Sequence, residues 1–404
     1  MVLKLTTKDR RMLLALFVRI IMLIIIALLA ERLPAYGFIE NSPDYDDFRY
    51  EEGAALYSES ANSIIDVPTF TRIFDSMGDW TGHHLSRPLT EGFLWYWLVC
   101  ILTYITKWRW WIRVLNIILS VYITKYIYEL SSILFSEKVG DKASLFYALY
   151  PYTVIFSCFS YKDTLVSFCL FYIITYFAKH KNEVHIDKIG VVKLLLVCLI
   201  FIFVRSGVSE ILIGLGLLYF YYKPSEKIPV NRVLGITFLM LGGFVMLFLT
   251  SDLIIYKFNA YIGNSSTAGL SGGALVKITG LCDLWKLPFT FVFSILQPIG
   301  FSTNINSWLT IVSNINILMC PIAVSAFLCV IFRKSMDKYL SVLMIVFYLI
   351  CSVSSVLVFR QLYSIWPIPV IYGTNYLVNS SIERKTMVGV ASVILMLMIV
   401  LYFI

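Results

Sequence analysis

The sequence is poor in charged residues, and this scarcity excludes an ordinary soluble domain. Only 14% of the 404 residues are Asp, Glu, Lys or Arg, whereas 59% are hydrophobic. A soluble domain carries about 25% charged residues to cover its surface. The alternating ten-residue segments of a membrane β-barrel are also missing. Apolar runs of transmembrane-helix length recur along the whole chain, so we expect one all-α polytopic membrane domain over residues 1–404.

Several motifs that would indicate other functions are absent as well. The eight cysteines contain no CxxC pair, and the phosphate-loop pattern GxxxxGK[ST] does not occur. The net charge of +8 comes from short basic clusters between apolar runs. Such clusters are typical of cytoplasmic loops, not of a nucleic-acid groove. We therefore predict a lipid bilayer as partner and no nucleic acid.

The apolar runs predict about 10 to 12 membrane spans. Four basic residues precede the first run, near 12–30. The run is too long for a signal peptide, so we expect a retained span with a cytoplasmic N-terminus. The other runs lie near 88–106, 112–135, 143–160, 163–178, 190–205, 207–222, 233–250, 286–300, 309–332, 339–358, 362–380 and 386–404.

Two of these runs leave the topology open. The run 88–106 either crosses the membrane or lies at its surface, and we favour the surface, because the later basic connectors then all fall on the cytoplasmic side. The short run 286–300 ends at a proline and is either a span or re-entrant. We expect a first periplasmic loop over 31–111 with interfacial helices, and a second periplasmic or re-entrant region over 251–308.

The first loop contains an acidic cluster. Residues 31–87 hold eleven Asp or Glu against four Arg, and the acids are densest at Asp44, Asp46, Asp47, Glu51 and Glu52. Carboxylates this close raise one another's pKa unless a cation balances them. The cluster suits a general base, a metal site or a solvated loop.

The segment DDFRY, from Asp46 to Tyr50, resembles the D-[DE]-x-x-Y element in the first outer loop of GT-C membrane glycosyltransferases. The later segment SRPLTEGFLWYWL (86–98) is similar to the proline-aromatic segment of that family, with one proline instead of two. The resemblance implies a polyprenyl-phosphate-linked sugar as donor and a glycan acceptor. It implies Asp46 as catalytic base, Asp47 as a residue that orients the acceptor or binds a divalent cation, and Tyr50 as an acceptor contact.

A second acidic element resembles the same family. In the segment YPYTVIFSCFSYKDTLVSF (150–168), one apolar run ends just before Lys162 and Asp163, and another begins directly after them. From its position alone, Asp163 suits a helix N-cap. The resemblance instead implies Asp163 as a second catalytic acid and Lys162 as a contact to the donor phosphate. Arg205 and Arg360, at predicted outer ends of spans, are either snorkelling side chains or further phosphate contacts.

The adjacent His83 and His84 lack the spacing and the third ligand of a metal site, so we predict no histidine metal centre and, at most, acceptor contacts. The sequence thus predicts a multi-pass glycosyltransferase of the bacterial inner membrane. An O-antigen or capsule polymerase is the alternative, although the loop 251–285 contains no Arg. A polysaccharide transporter or flippase comes third, because no repeated halves are visible.

Overall fold

A computed structural model describes residues 5–39, 46–76, 93–180, 188–204, 305, 307–332, 340–341, 344–345 and 363–403. These residues form helices and their connections, with no strand among them. Short 3₁₀ helices cover Pro34–Gly37 and Ile317–Met319. The helices are α1 (Thr7–Arg32), α2 (Asp46–Ser60), α3 (Val67–Ser76), α4 (Phe93–Thr106), α5 (Trp111–Leu134), α6 (Glu137–Leu149), α7 (Pro151–Phe156), α8 (Asp163–His180), α9 (Lys188–Val204), α10 (Trp308–Asn316), α11 (Cys320–Phe332), α12 (Pro367–Asn379) and α13 (Ile382–Phe403).

Three described segments are long and apolar enough to cross a membrane. They are α1, α5 and the continuous stretch Trp308–Val330 that runs from α10 into α11. Helix α4 and the stretch Ile189–Val204 are apolar but shorter. The prediction of an all-α membrane protein is thus confirmed for the described part of the chain. The count of 10 to 12 spans stays a prediction.

Helix α1 has a capped N-terminus and an exposed apolar side, as expected of a membrane helix. Thr6 caps its N-terminus, and the Thr6 and Asp9 side chains bond to each other's backbone N–H in a capping box. Large apolar side chains along one side, such as Leu13, Phe17 and Leu28, are exposed by half or more. A continuous exposed apolar stripe of this kind suits contact with lipid chains.

One end of the bundle, which we call the basal end, is defined by ion pairs between helix ends. Lys8 of α1 lies 3.1 Å from Glu129 of α5, and Lys179 of α8 lies 2.8 Å from the same carboxylate. Arg11 of α1 lies 2.7 Å from Asp141 near the start of α6. The first residues of α1 and α6 and the last of α5 and α8 therefore meet here.

The opposite, apical end follows from helix length. Asp163 begins α8, and the 16 residues from it to Lys179 span about 24 Å of helix. Arg113, in the first turn of α5, lies a similar distance from Glu129. The candidate residue Asp163 is therefore at the end away from the basal ion pairs.

Helix α4 stays at the apical end along α2. Near its start, the Trp95 indole N–H donates to the carbonyl of Ser160 at 3.0 Å. Just after its end, the Lys107 ammonium donates to the carbonyl of Ser58 in α2 at 3.0 Å. Both ends of α4 thus contact apical elements. How α4 lies relative to the bilayer stays a prediction.

Candidate functional site at the apical end

The acidic motif that begins at Asp46 is the start of helix α2, and its spacing follows the buried face of that helix. Asp47, Tyr50 and Ala54 are each at most 1% exposed. Their spacing of three and four residues places them on one side of a helix. The Tyr50 ring packs edge-to-face on Tyr96, with the ring centroids 4.8 Å apart. The motif therefore positions the helix as well as carrying its acids.

Asp46 is the more accessible of the two paired aspartates. It is the first residue of α2 and is half-buried. The Tyr50 hydroxyl, one turn further along, donates to its Oδ2 at 3.4 Å. Asp46 thus lies partly exposed at the apical end, with the hydroxyl of a buried tyrosine beside its carboxylate.

Asp47 is completely buried and joins three parts of the chain. Its carboxylate accepts a hydrogen bond from the Ile39 N–H at 2.8 Å and one from the Tyr161 hydroxyl at 3.3 Å. Its backbone carbonyl accepts from the Ser160 hydroxyl at 3.1 Å. These bonds link the segment before α2 and the connection before α8 to the start of α2.

Burial has an electrostatic consequence for Asp47. Loss of solvation raises the pKa of Asp47 to about 6, and the neighbouring Glu51 adds to the increase. The Ile39 N–H and the Arg113 guanidinium oppose it, because both stabilise the ionised form. Asp47 thus keeps its proton to a higher pH than an ordinary aspartate does.

A buried ion pair lies one turn further along α2. The Arg113 Nε and Nη2 atoms lie 2.6 and 2.8 Å from the two carboxylate oxygens of Glu51. Both side chains are at most 1% exposed. The geometry is the two-bond pairing in which arginine binds a carboxylate most strongly. Of the two adjacent glutamates, Glu51 therefore belongs to the interior, while Glu52 is only half-buried.

The connection between α7 and α8, residues 157–162, leaves the helical hydrogen-bond pattern, and side chains satisfy its carbonyls. The Asn116 amide donates to the carbonyls of Phe159 and Tyr161 at 2.6 and 2.9 Å. Trp95 bonds to the Ser160 carbonyl. Non-helical backbone inside a membrane protein needs such partners. This connection sets half-buried Lys162 next to Asp163, which is 2% exposed.

Arg19, in the middle of α1, fixes the start of the same connection. Its Nε donates to the hydroxyls of Ser120 and Ser157 at 2.9 and 3.1 Å. Its Nη1 donates to the carbonyls of Ala15 and Ala148. The side chain is fully buried. Arg19 thus joins α1, α5 and α6 to the connection.

A third segment packs against the connection from the C-terminal part of the chain. The Tyr363 ring lies 4.4 Å from that of Phe156, and Phe156 stacks on Tyr161 at 4.8 Å. Tyr161 in turn bonds to Asp47. Residues just before α12 therefore adjoin the acidic site.

The structure brings together some predicted site residues and leaves others untested. Asp46, Asp47 and Tyr50 form one unit on α2. The Tyr161–Asp47 bond joins this unit to the connection that ends at Lys162, next to Asp163. The other predicted residues, Arg205, Arg360, His83 and His84, lie outside the described residues.

The described residues offer few ligands for a divalent cation at Asp46 and Asp47. Within them, no group of three or more His, Cys, Asp or Glu could hold a metal ion. Both Asp47 carboxylate oxygens accept hydrogen bonds from the protein. The cation therefore stays a prediction, and Asp46 is the more exposed of the two residues.

Two further residues of the site, Arg113 and Asn116, were not predicted from the sequence. Their spacing of three residues places two polar side chains on one face of α5, and such a pair in an apolar helix indicates polar partners on the elements that pack against that face. Comparison of the chain with protein-family models, curated proteins and solved structures finds no match. The site must therefore be interpreted from its own chemistry.

Proposed function

We propose that the chain is a membrane glycosyltransferase, which moves a sugar from a polyprenyl-phosphate donor to a cell-surface glycan or its lipid-linked precursor. The observation that carries the proposal is the meeting of two acid-bearing segments at one end of the bundle. Asp46 on α2 and the Lys162–Asp163 pair at the start of α8 are joined through the bond between Tyr161 and Asp47.

The proposed reaction assigns Asp46 as the general base. Its carboxylate takes the proton of the acceptor hydroxyl, whose oxygen forms a bond to the anomeric carbon as the bond to the donor phosphate breaks. Asp46 suits this role because it is half-buried and hydrogen-bonded by Tyr50. The ammonium of Lys162 stabilises the charge on the departing phosphate. Asp163 helps to position the acceptor.

Other roles extend the proposal beyond the described residues. Arg205 and Arg360 contact the donor phosphate, and His83 and His84 contact the acceptor. The protein acts at the periplasmic face of a bacterial inner membrane. Support for a membrane location comes from the three apolar helices that are long enough to cross a bilayer.

The decisive experiment is deletion of the gene and analysis of the surface glycan, with complementation by variants. Asp46→Asn should lower transfer by about 10²–10⁴-fold, the usual contribution of a general base. Glu59→Gln, an exposed change on the same helix, is the matched control and should restore the glycan. A wild-type glycan made by Asp46→Asn would refute Asp46 as the base.

The same deletion separates this proposal from its alternatives. A missing sugar in an otherwise complete glycan supports the transferase. Chains of a single repeat unit would indicate a polymerase. Complete precursor held on the cytoplasmic side would indicate a flippase.

The location of the site is tested by labelling introduced cysteines with a membrane-impermeant maleimide. A cysteine at 162 should react from the periplasmic side, and a cysteine at 179, at the basal end, should react only after the membrane is opened. Protection at 162 with labelling at 179 would reverse the proposed orientation.

A further inference from the structure

We propose that Arg113 is a positioning residue of this site, which holds the acid-bearing helix α2 in register with the connection 157–162. The inference rests on the proposed function for its catalytic meaning. Its structural part, that one guanidinium fixes the place of α2, stands on the contacts alone.

The hydrogen bonds of Arg113 reach two separate parts of the first loop. Besides its two bonds to Glu51 in α2, its Nη2 donates to the carbonyl of Gly37 at 2.6 Å. Gly37 ends the 3₁₀ helix that precedes α2. Arg113 therefore fixes both the helix that begins at Asp46 and the segment leading to it.

Aromatic rings surround the same guanidinium, and one of them belongs to a third part of the chain, the connection 157–162. Its central carbon lies 4.6 Å from the ring of Trp110, 5.2 Å from that of Phe159 and 5.7 Å from that of Phe38. Each distance is within the range of a cation–π contact. Phe159 belongs to the connection before Asp163, so one side chain touches both acid-bearing segments.

Asn116 extends this arrangement by almost one turn of α5. Its amide holds the carbonyls of Phe159 and Tyr161. Residues three apart lie on the same side of a helix. One face of α5 therefore binds α2 through Arg113 and the connection through Asn116, and sets the distance between them.

The energetics favour positioning over simple stabilisation as the reason for this pair. Removing two charges from water costs about as much as their attraction returns, and apolar replacements of buried pairs are often neutral or stabilising. A pair that gives little net stability but fixes one geometry is suited to hold α2 in one position relative to the connection 157–162. Transfer chemistry needs that register, because a shift of about 1 Å can lower a rate by about 10²-fold.

The test uses full-length protein in lipid nanodiscs with spin labels at 59 and 133. Glu59 lies in the last turn of α2 and Ile133 near the basal end of α5, and both positions are exposed. Pulsed electron-spin resonance then reports the place of α2 relative to α5. We expect one narrow distance in the parent protein and a clearly broadened or shifted one in Arg113→Gln.

Two further variants make the result specific. Arg113→Lys keeps the charge and should recover part of the narrow distance, although lysine cannot form the two parallel bonds. Lys107→Gln also removes a bond to α2, at Ser58, but at an exposed position, and should leave the distance unchanged. Where Arg113→Gln does not fold, Glu51→Gln/Arg113→Gln removes both charges and is measured in its place.

The glycan of the complemented deletion strain provides the second measurement. Arg113→Gln should lower transfer by about 10²-fold, with Arg113→Lys between it and the parent. A narrow, unshifted distance in Arg113→Gln or in the double variant overturns the inference. So does parental transfer by Arg113→Gln in a strain where Asp46→Asn is inactive. A deletion with no effect on any glycan refutes the proposed function instead, and the distance alone then decides whether Arg113 holds α2.

Discussion

The two ends of the bundle use the same chemical groups in different ways. At the basal end, Lys8 and Lys179 share Glu129, and the two lysine side chains are 33% and 43% exposed. At the apical end, Arg113 and Glu51 are at most 1% exposed. Partly exposed pairs contribute about 0–1 kcal/mol, whereas a buried charge that loses its partner costs about 3–5 kcal/mol. The apical pair therefore constrains the structure far more than its basal counterparts.

The backbone explains why the Arg113–Glu51 pair is buried at the apical end. The basal end joins regular helix ends, such as Ser136, which caps α6 by accepting a bond from the Val139 N–H. The apical end contains irregular backbone around Gly37 and between α7 and α8. Carbonyls there cannot pair within a helix, so Arg113 and Asn116 donate to them. The buried polar groups follow from a non-helical site.

The largest predicted effect tests this comparison directly. Glu51→Gln removes the charge that balances Arg113 in the interior and should lower the free energy of unfolding by about 3–5 kcal/mol. Thermal unfolding of the purified protein measures the loss, with Glu59→Gln on the exposed side of α2 as control. Equal stability of the two variants would show that the apical pair is not isolated from water.

The next prediction concerns pH. Burial raises the pKa of Asp47 to about 6, so the folded protein binds more protons than the unfolded chain between about pH 4 and 6. The free energy of unfolding should therefore fall as pH rises through that interval, by an amount on the order of 3 kcal/mol, and level off above it.

Asp47→Asn isolates this contribution, because asparagine does not titrate. We expect the variant to lose the decline between about pH 4 and 6 that the parent protein shows. Unfolding temperatures measured across the interval give the two slopes. Parallel slopes would mean that Asp47 keeps an ordinary pKa and is better solvated than its burial indicates.

Within the described residues, the positions of the long apolar helices were largely predictable from the sequence, because apolar length determines where a membrane helix can lie. The runs 112–135 and 163–178 correspond closely to α5 (Trp111–Leu134) and α8 (Asp163–His180). The run 143–160 does not match one helix. Helix α6 begins before the run, at Glu137, because its first turn is polar and does not belong to an apolar run. Pro151 then ends α6 and begins α7, so the rest of the run forms a second helix.

The site was predictable only in part. The acids at Asp46, Asp47 and Asp163 are visible as charges beside apolar runs, but which of them meet depends on the packing of distant helices. Arg113 was missed because an arginine in the first turn of a span is typical of a membrane boundary. Only the fold shows that Glu51 faces it.

A third prediction concerns close packing near the basal end. A Cβ added at Gly140 of α6 would lie 2.8 Å from the carbonyl oxygen of Tyr128 in α5 and would also meet the Ser132 hydroxyl. Gly140→Ala should therefore force the two helices apart and lower the free energy of unfolding by about 1–3 kcal/mol. Gly389→Ala is the matched control, since among the described residues no atom beyond the backbone of its own helix lies within 4 Å of its added Cβ. Equal unfolding temperatures for the two variants would contradict the close approach of α5 and α6.

The smallest predicted effect concerns the basal ion pairs. Glu129→Gln removes the carboxylate shared by Lys8 and Lys179, yet water can solvate both lysines once it is gone. The change should cost only about 0–1 kcal/mol, and raising the salt concentration should reduce it further, because exposed charges are screened. Unfolding temperatures at low and high salt measure both effects. A salt-independent loss as large as that of Glu51→Gln would mean that the basal pairs are as isolated from water as the apical one. The contrast between the two ends would then have to come from backbone geometry alone.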